Sequence, residues 1–199
     1  MTSFAALVAA TAILVAIPGP NVALIVANTL RYGLPGGIVT VLGTTCGVGL
    51  QLALVVLGLV AAIAVVADAL TWIRWAGVAY LVYLGVRTWR TPPADLGTVG
   101  AAPAMFWRGC LVAVLNPKTL LFNAAFVPQF VSGASPTPAD FGLVAAVYLG
   151  VLVLGDAFWA LFARLARPLL VGYPAIRGKL AGAFLMAAGA GLALARRQT

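Results

Sequence analysis

Apolar residues run along this chain in long stretches, without the one-sided or alternating patterns of a fold that meets water. A helix that is apolar all round has no water-facing side, and each bilayer crossing takes about 20 such residues. Glycine, proline and the few charged positions divide the chain into roughly six spans, at residues 3–30, 37–66, 69–88, 105–131, 139–163 and 178–195. The second is longer than a perpendicular crossing requires, so it is expected to tilt or to bend near Gly43, Gly47 and Gly49. The first and fourth are interrupted near their middles, by Pro18-Gly19-Pro20-Asn21 and by Asn116-Pro117-Lys118.

Residues 91–104, rich in Pro, Gly, Ala and Thr, form the longest polar stretch and separate a first half (1–90) from a second (105–199). With an odd number of spans in each half, the second half enters the membrane in the opposite orientation. The expected architecture is therefore an all-α integral membrane protein: six transmembrane helices as two inverted three-helix repeats, the first helix of each repeat broken. Weak internal similarity agrees. Gly37-Ile38-Val39 aligns with Gly142-Leu143-Val144, and the same offset pairs Arg74 with Lys179, Ala76-Gly77 with Ala181-Gly182, and Gln51 with Asp156. A longer fourth loop accounts for the shorter offset between Pro20 and Pro117.

Composition sharpens this picture. Hydrophobic residues make up 63% of the 199 positions and charged ones only 8%, too few to clothe a soluble surface. The formal charge of +8 forms no continuous basic stripe, which argues against a nucleic-acid partner. Cys46 and Cys110 lie far apart in apolar surroundings and read as packing residues, with neither a metal motif nor a disulfide framework. Residues 4–17 lack a basic leader and a small-residue cleavage site, so they are expected to be a retained helix.

Charge placement sets the orientation. Arg31, Arg87, Arg90, Arg108, Arg164, Arg167, Arg177 and Lys179 fall on one side, which is expected to be cytoplasmic, with both termini outside. Arg74 and the Arg196-Arg197 pair fall on the other. Trp72, Trp75, Trp89 and Trp107 lie near span ends, as interfacial anchors do.

The interruptions are where chemistry is expected. Proline within a helix removes an amide donor and frees carbonyls, and in hydrocarbon such groups persist only where protein or a watery cavity satisfies them. Asn116 followed by Pro117 has the form of an N-cap and first helical residue, and Gly19-Pro20 can act likewise. Each break would aim a half-helix N-terminus, partly positive, at the protein centre, where anionic groups bind well. A single proline is often only a kink; two at corresponding places in inverted halves point to a midplane site. Lys118 lies within the broken fourth span and could bind a substrate carboxylate, snorkel, or pair inside the protein. Asp156, the acidic residue clearly within a span, could bind an amino group, carry protons, or pair with Lys118. Asn21 and Gln51 offer neutral contacts to substrate or bonds from helix to helix. Gly43-Thr44-Thr45-Cys46-Gly47 has the small-residue spacing of a close helix contact.

The chain holds no histidine and no glutamate, which excludes His-dependent triads and His-rich metal sites. Ser3, Ser132 and Ser135 sit at span ends or in loops, and Asp68, Asp95 and Asp140 are poorly placed to join Asp156 as an aspartyl pair. No enzyme, cofactor or metal is expected.

Pro18-Gly19-Pro20-Asn21, the run from Trp75-Ala76-Gly77 through Tyr80-Leu81 to Leu84-Gly85, Asn116-Pro117-Lys118 with Phe122, and Pro128-Gln129-Phe130 together resemble bacterial amino-acid exporters of the lysine-exporter superfamily. The likeness, strongest to the homoserine/threonine-resistance branch, runs through nearly the whole chain, and Asp156 matches an aspartate of their fifth span. It implies proton-motive-force-driven export of an amino acid, of homoserine, threonine or leucine type, across the bacterial cytoplasmic (inner) membrane by a homodimer. Asp156 would couple the protons. A membrane-embedded scaffold that moves no solute is the alternative. A metal exporter would be poorly served by two isolated cysteines.

Overall fold

The computed structural model describes residues 4–56, 63–90, 102–125, 127–131, 138–170 and 173–194. Among these the elements are helical: α1 (Phe4–Ala16), α2 (Pro20–Val56), α3 (Ile63–Arg90), α4 (Ala102–Val114), α5 (Pro117–Ala125), α6 (Pro138–Ala166) and α7 (Pro174–Leu194). Short 3₁₀ turns follow α5 at Val127–Phe130 and α6 at Arg167–Leu170. The polar linker, apart from residues 102–104, which begin α4, lies outside the described residues, as do Ser3, Asp95, Ser132, Ser135 and Arg196-Arg197. So do the side chains of Asp68, Arg74 and Arg177.

α2 is two helical arms joined at a corner. Gly33 has φ 80° and ψ −174°, a conformation open in practice only to glycine. Pro35 follows in the first turn of the second arm, where its missing amide costs nothing. The arms then run back against each other. Asn28 donates to the Thr40 hydroxyl at 2.8 Å, and that hydroxyl donates to the Gly36 carbonyl at 2.7 Å. A Cβ on Gly37 would collide with Thr29, so glycine permits the close return.

Two apolar clusters, with a smaller third at Ile25, Val41 and Ala160, hold the bundle. One joins α1, the second arm of α2 and α6 around Leu7, Val48, Leu52, Tyr148 and Leu152. The other joins the first arm of α2, α3 and α7 around Leu24, Ala27, Leu81, Leu84 and Leu185. α4 belongs to both, through Ala113 and Val112. It crosses the second arm of α2 on a glycine seam: a Cβ on Gly43 would strike the Phe106 carbonyl, and one on Gly47 the Cys110 carbonyl. The small-residue stripe is thus a backbone contact, and it sets the Cys46 and Cys110 thiols side by side, both free. α3 and α7 approach equally closely at Gly85 and Gly182.

Large apolar side chains face outward. Leu154, Phe158, Leu165, Trp72 and Trp107 are 63–77% exposed, a surface that a water-soluble monomer rarely carries. By length and apolar composition Pro138–Leu169 suffices to cross a membrane; Pro20–Val55 is also apolar but is divided at the Gly33 corner, and Phe4–Ala16, Ala102–Val114 and Gly178–Leu194 are shorter apolar helices.

Candidate functional site

Both interruptions are present, and each follows from its prolines. Pro18 cannot donate to the Leu14 carbonyl nor Pro20 to that of Ala16, so α1 stops and α2 restarts, Ala23 bonding back to Gly19 at 2.9 Å. Pro117 cannot donate to the Ala113 carbonyl, so α4 ends. Asn116 then caps α5, its side-chain oxygen accepting from the Lys118 amide at 3.1 Å and its carbonyl from the Leu120 amide at 3.0 Å.

The freed carbonyls are taken up by side chains from other elements. At the second break Gln51, 1% exposed, donates to Ala113 at 2.9 Å, Val114 at 3.1 Å and Asn116 at 3.3 Å, and accepts from Asn123 at 3.2 Å. At the first break the Lys118 ammonium donates to the Leu14 and Ile17 carbonyls, and Trp159 donates to Val15 at 3.1 Å. A cation at the C-terminal end of α1 also complements that helix's dipole. The breaks touch: Asn116 donates to the Asn21 side chain at 3.0 Å, which brings the N-termini of α2 and α5 together.

Asp156 is 5% exposed, and its carboxylate lies 3.4 Å from the Thr44 hydroxyl. Lys118 donates to carbonyls and forms no direct ion pair with that carboxylate. The two instead face one small cavity of about 20 Å³, shared with Asn21, Asn116, Thr119 and Leu152. Lys118 and Gly19 also line a second, larger cavity of about 470 Å³, whose remaining wall is apolar: Ile17, Pro18, Phe184, Ala188 and Leu192. Lys118 therefore stands between the apolar chamber and the small cavity that Asp156 also lines.

Four of the expected site residues, Asn21, Asn116, Lys118 and Asp156, share the small cavity; Gln51 does not line it and is engaged with the second break. Sequence reasoning had not singled out Thr44, Asn123, Tyr148 or Trp159 for this region. Tyr148 is fully buried and stacked on Phe122 at 5.5 Å, and its hydroxyl and the Asn123 side-chain oxygen are without hydrogen-bond partners. The available signal was helical spacing: Tyr148, Leu152, Asp156 and Trp159 fall on one face of α6.

An all-helical bundle clothed in apolar side chains, with a partly buried lysine, a buried aspartate and paired helix breaks brought together, defines a membrane protein of the solute-transporter class. Residues 12–196 match the family described as LysE type translocator, and the chain belongs to that family. It is a translocator and not an enzyme. It is 29% identical over 185 residues to the homoserine/homoserine lactone efflux protein of Salmonella typhimurium, covering 90% of each chain. An uncharacterized membrane protein of Vibrio cholerae is 30% identical over 189 residues, 90% of each. The leucine efflux protein of Salmonella choleraesuis is 28% identical over 158 residues, 73% of this chain and 74% of its own. No solved structure matches.

Proposed function

We propose that this protein exports an amino acid with a small neutral or aliphatic side chain across the cytoplasmic membrane, driven by the proton motive force. The observation that carries the reading is the placement of Lys118 and Asp156 on one small cavity at the meeting of two half-helix N-termini, with the lysine bound to carbonyls and not to the aspartate. A zwitterion supplies each of the two side chains with a direct partner of opposite charge. Its carboxylate replaces the carbonyls at Lys118, aided by the amides of α2 and α5, and its amino group meets Asp156. Apart from Lys118, which the substrate carboxylate engages, the neighbouring chamber is lined by apolar residues and offers no further partner for a charged side chain. The homoserine and leucine efflux relatives support the substrate class.

Export then needs a reset. Protonation of Asp156 from the outside would neutralise the group that holds the amino end, coupling proton entry to release. The halves 1–90 and 105–199 act as inverted repeats of three crossings each, joined by the linker at 91–104 with both termini outside. In support, α4 packs on α2, α6 on α1 and α2, and α3 on α7, a set unchanged when each helix of one half is exchanged for its counterpart in the other.

Efflux of labelled leucine and homoserine from loaded proteoliposomes, under an imposed proton gradient, tests the reading. Lys118→Ala and Asp156→Asn are each expected to abolish both export and gradient-free exchange, since each removes one of the two charges that hold the zwitterion. Wild-type rates in both variants would sink it.

A further inference from the structure

Away from the breaks, at the end of the bundle marked by the Gly33 corner, a separate cavity of about 90 Å³ opens between four helices. Its polar wall is formed by Arg31, Asn28 and Tyr32 of α2, Arg87 and Thr88 of α3, and Arg108 of α4. Every charged residue among those lining it is an arginine. Its floor is Leu24, Leu84 and Leu185, members of the apolar cluster that joins α2, α3 and α7. Arg31 and Arg108 are partly buried, and the Arg31 guanidinium lies 5.3 Å over the Tyr32 ring, which fixes its plane.

Three guanidinium groups from three helices converging on one opening do not suit an amino acid. Its single carboxylate is accompanied by an ammonium, which the same arginines repel. A phosphate oxyanion suits them: planar N–H forks bind phosphate oxygens in pairs, and the Thr88 and Tyr32 hydroxyls can add donors. We infer that this cavity binds a phosphate group, carried by the headgroup of an anionic phospholipid or free in solution. Basic pockets between transmembrane helices at a membrane interface hold lipid phosphates by the same chemistry, and the leucine floor offers an apolar surface below the headgroup. The inference is independent of the transport reading.

The test uses full-length protein, delipidated in detergent. Native mass spectrometry counts bound phosphatidylglycerol and phosphatidylcholine, and isothermal titration with inorganic phosphate at fixed ionic strength probes the free anion. The variants are Arg31→Gln, Arg87→Gln and Arg108→Gln singly, with Arg164→Gln, exposed and outside the cavity, as control. Phosphatidylglycerol is expected to bind saturably and in preference to phosphatidylcholine, each cavity variant weakening it about fivefold and Arg164→Gln leaving it unchanged. Inorganic phosphate binding with the same arginine dependence would assign the site to the free anion. Equal binding of the two lipids with no binding of phosphate, or equal effects from Arg164→Gln and the cavity variants, would overturn the inference. Should any single variant fail to fold, the remaining two still decide the outcome, since each guanidinium comes from a different helix.

Discussion

Gln51 offers the sharpest test of how the second break is held open. Replacing it with leucine keeps the volume of the side chain and removes only its polar atoms. The Ala113 carbonyl still accepts from the Asn116 amide at 3.0 Å, and the Asn116 carbonyl from Leu120 and from the Thr119 hydroxyl at 3.1 Å. Two groups are left without a partner: the Val114 carbonyl and the Asn123 side-chain amide. A buried polar group stripped of its bond costs about 1–3 kcal/mol in soluble proteins. Interhelical bonds measured inside membranes average nearer 0.6 kcal/mol, because the unfolded chain in lipid finds other partners. Between these limits, Gln51→Leu is expected to destabilise by about 2 kcal/mol. Reversible unfolding in mixed detergent micelles reads the difference, and transport kinetics on the folded fraction read the rest. If Gln51 serves the break, stability falls while KM for the exported amino acid stays within about twofold, since 0.4 kcal/mol is the size of that change. A variant as stable as the parent, with KM raised tenfold, would refute the reasoning and return Gln51 to the substrate.

The glycine seam predicts a contrast within one residue type. Gly43→Val and Gly47→Val drive side-chain atoms into the carbonyls of Phe106 and Cys110 and should cost at least about 1–3 kcal/mol, whereas Gly142→Ala and Gly150→Ala, with nothing near, should leave stability equal or slightly higher by thermal unfolding. Gly33→Ala forces an L-residue to φ 80° beside Arg167 and is expected to lower stability by about 1–3 kcal/mol and expose the corner to protease. Oxidation with copper phenanthroline should link Cys46 to Cys110, detected as loss of two alkylatable thiols that Cys46→Ala does not show, and transport should persist, since the bond ties α2 to α4 at their crossing.

Much of this arrangement was readable from residue types whose physics is local. Proline cannot donate a hydrogen bond whatever surrounds it, so Pro18, Pro20 and Pro117 announced both breaks, and Asn116 announced its cap. Lys118 and Asp156 stood out because charge in an apolar stretch has few stable explanations. What could not be read was which helix face turns to which break. Gln51 was legible as polar and buried but not as the donor to Ala113, because that requires α2 to cross α4 at a glycine seam whose register no local signal sets. Trp159 was hidden for a related reason: tryptophans elsewhere in the chain lie near span ends, and only the packing of α6 on α1 brings this one to the Val15 carbonyl. Thr44 was read as a small residue making room, and the fold gives its hydroxyl a second use beside Asp156.

The contact of Gly43, Gly47 and Gly109 across α2 and α4 constrains any movement of one half against the other. Backbone meets backbone there, with no flexible side chains between to compress or slide. Such a seam resists translation along its length, because every carbonyl seated on a glycine would have to climb over the next side chain. It tolerates a small rotation about itself. The crossing is therefore a fulcrum: displacement is least beside it and grows with distance along each helix, so a tilt of a few degrees that leaves the glycines in register is magnified at the two ends of the bundle.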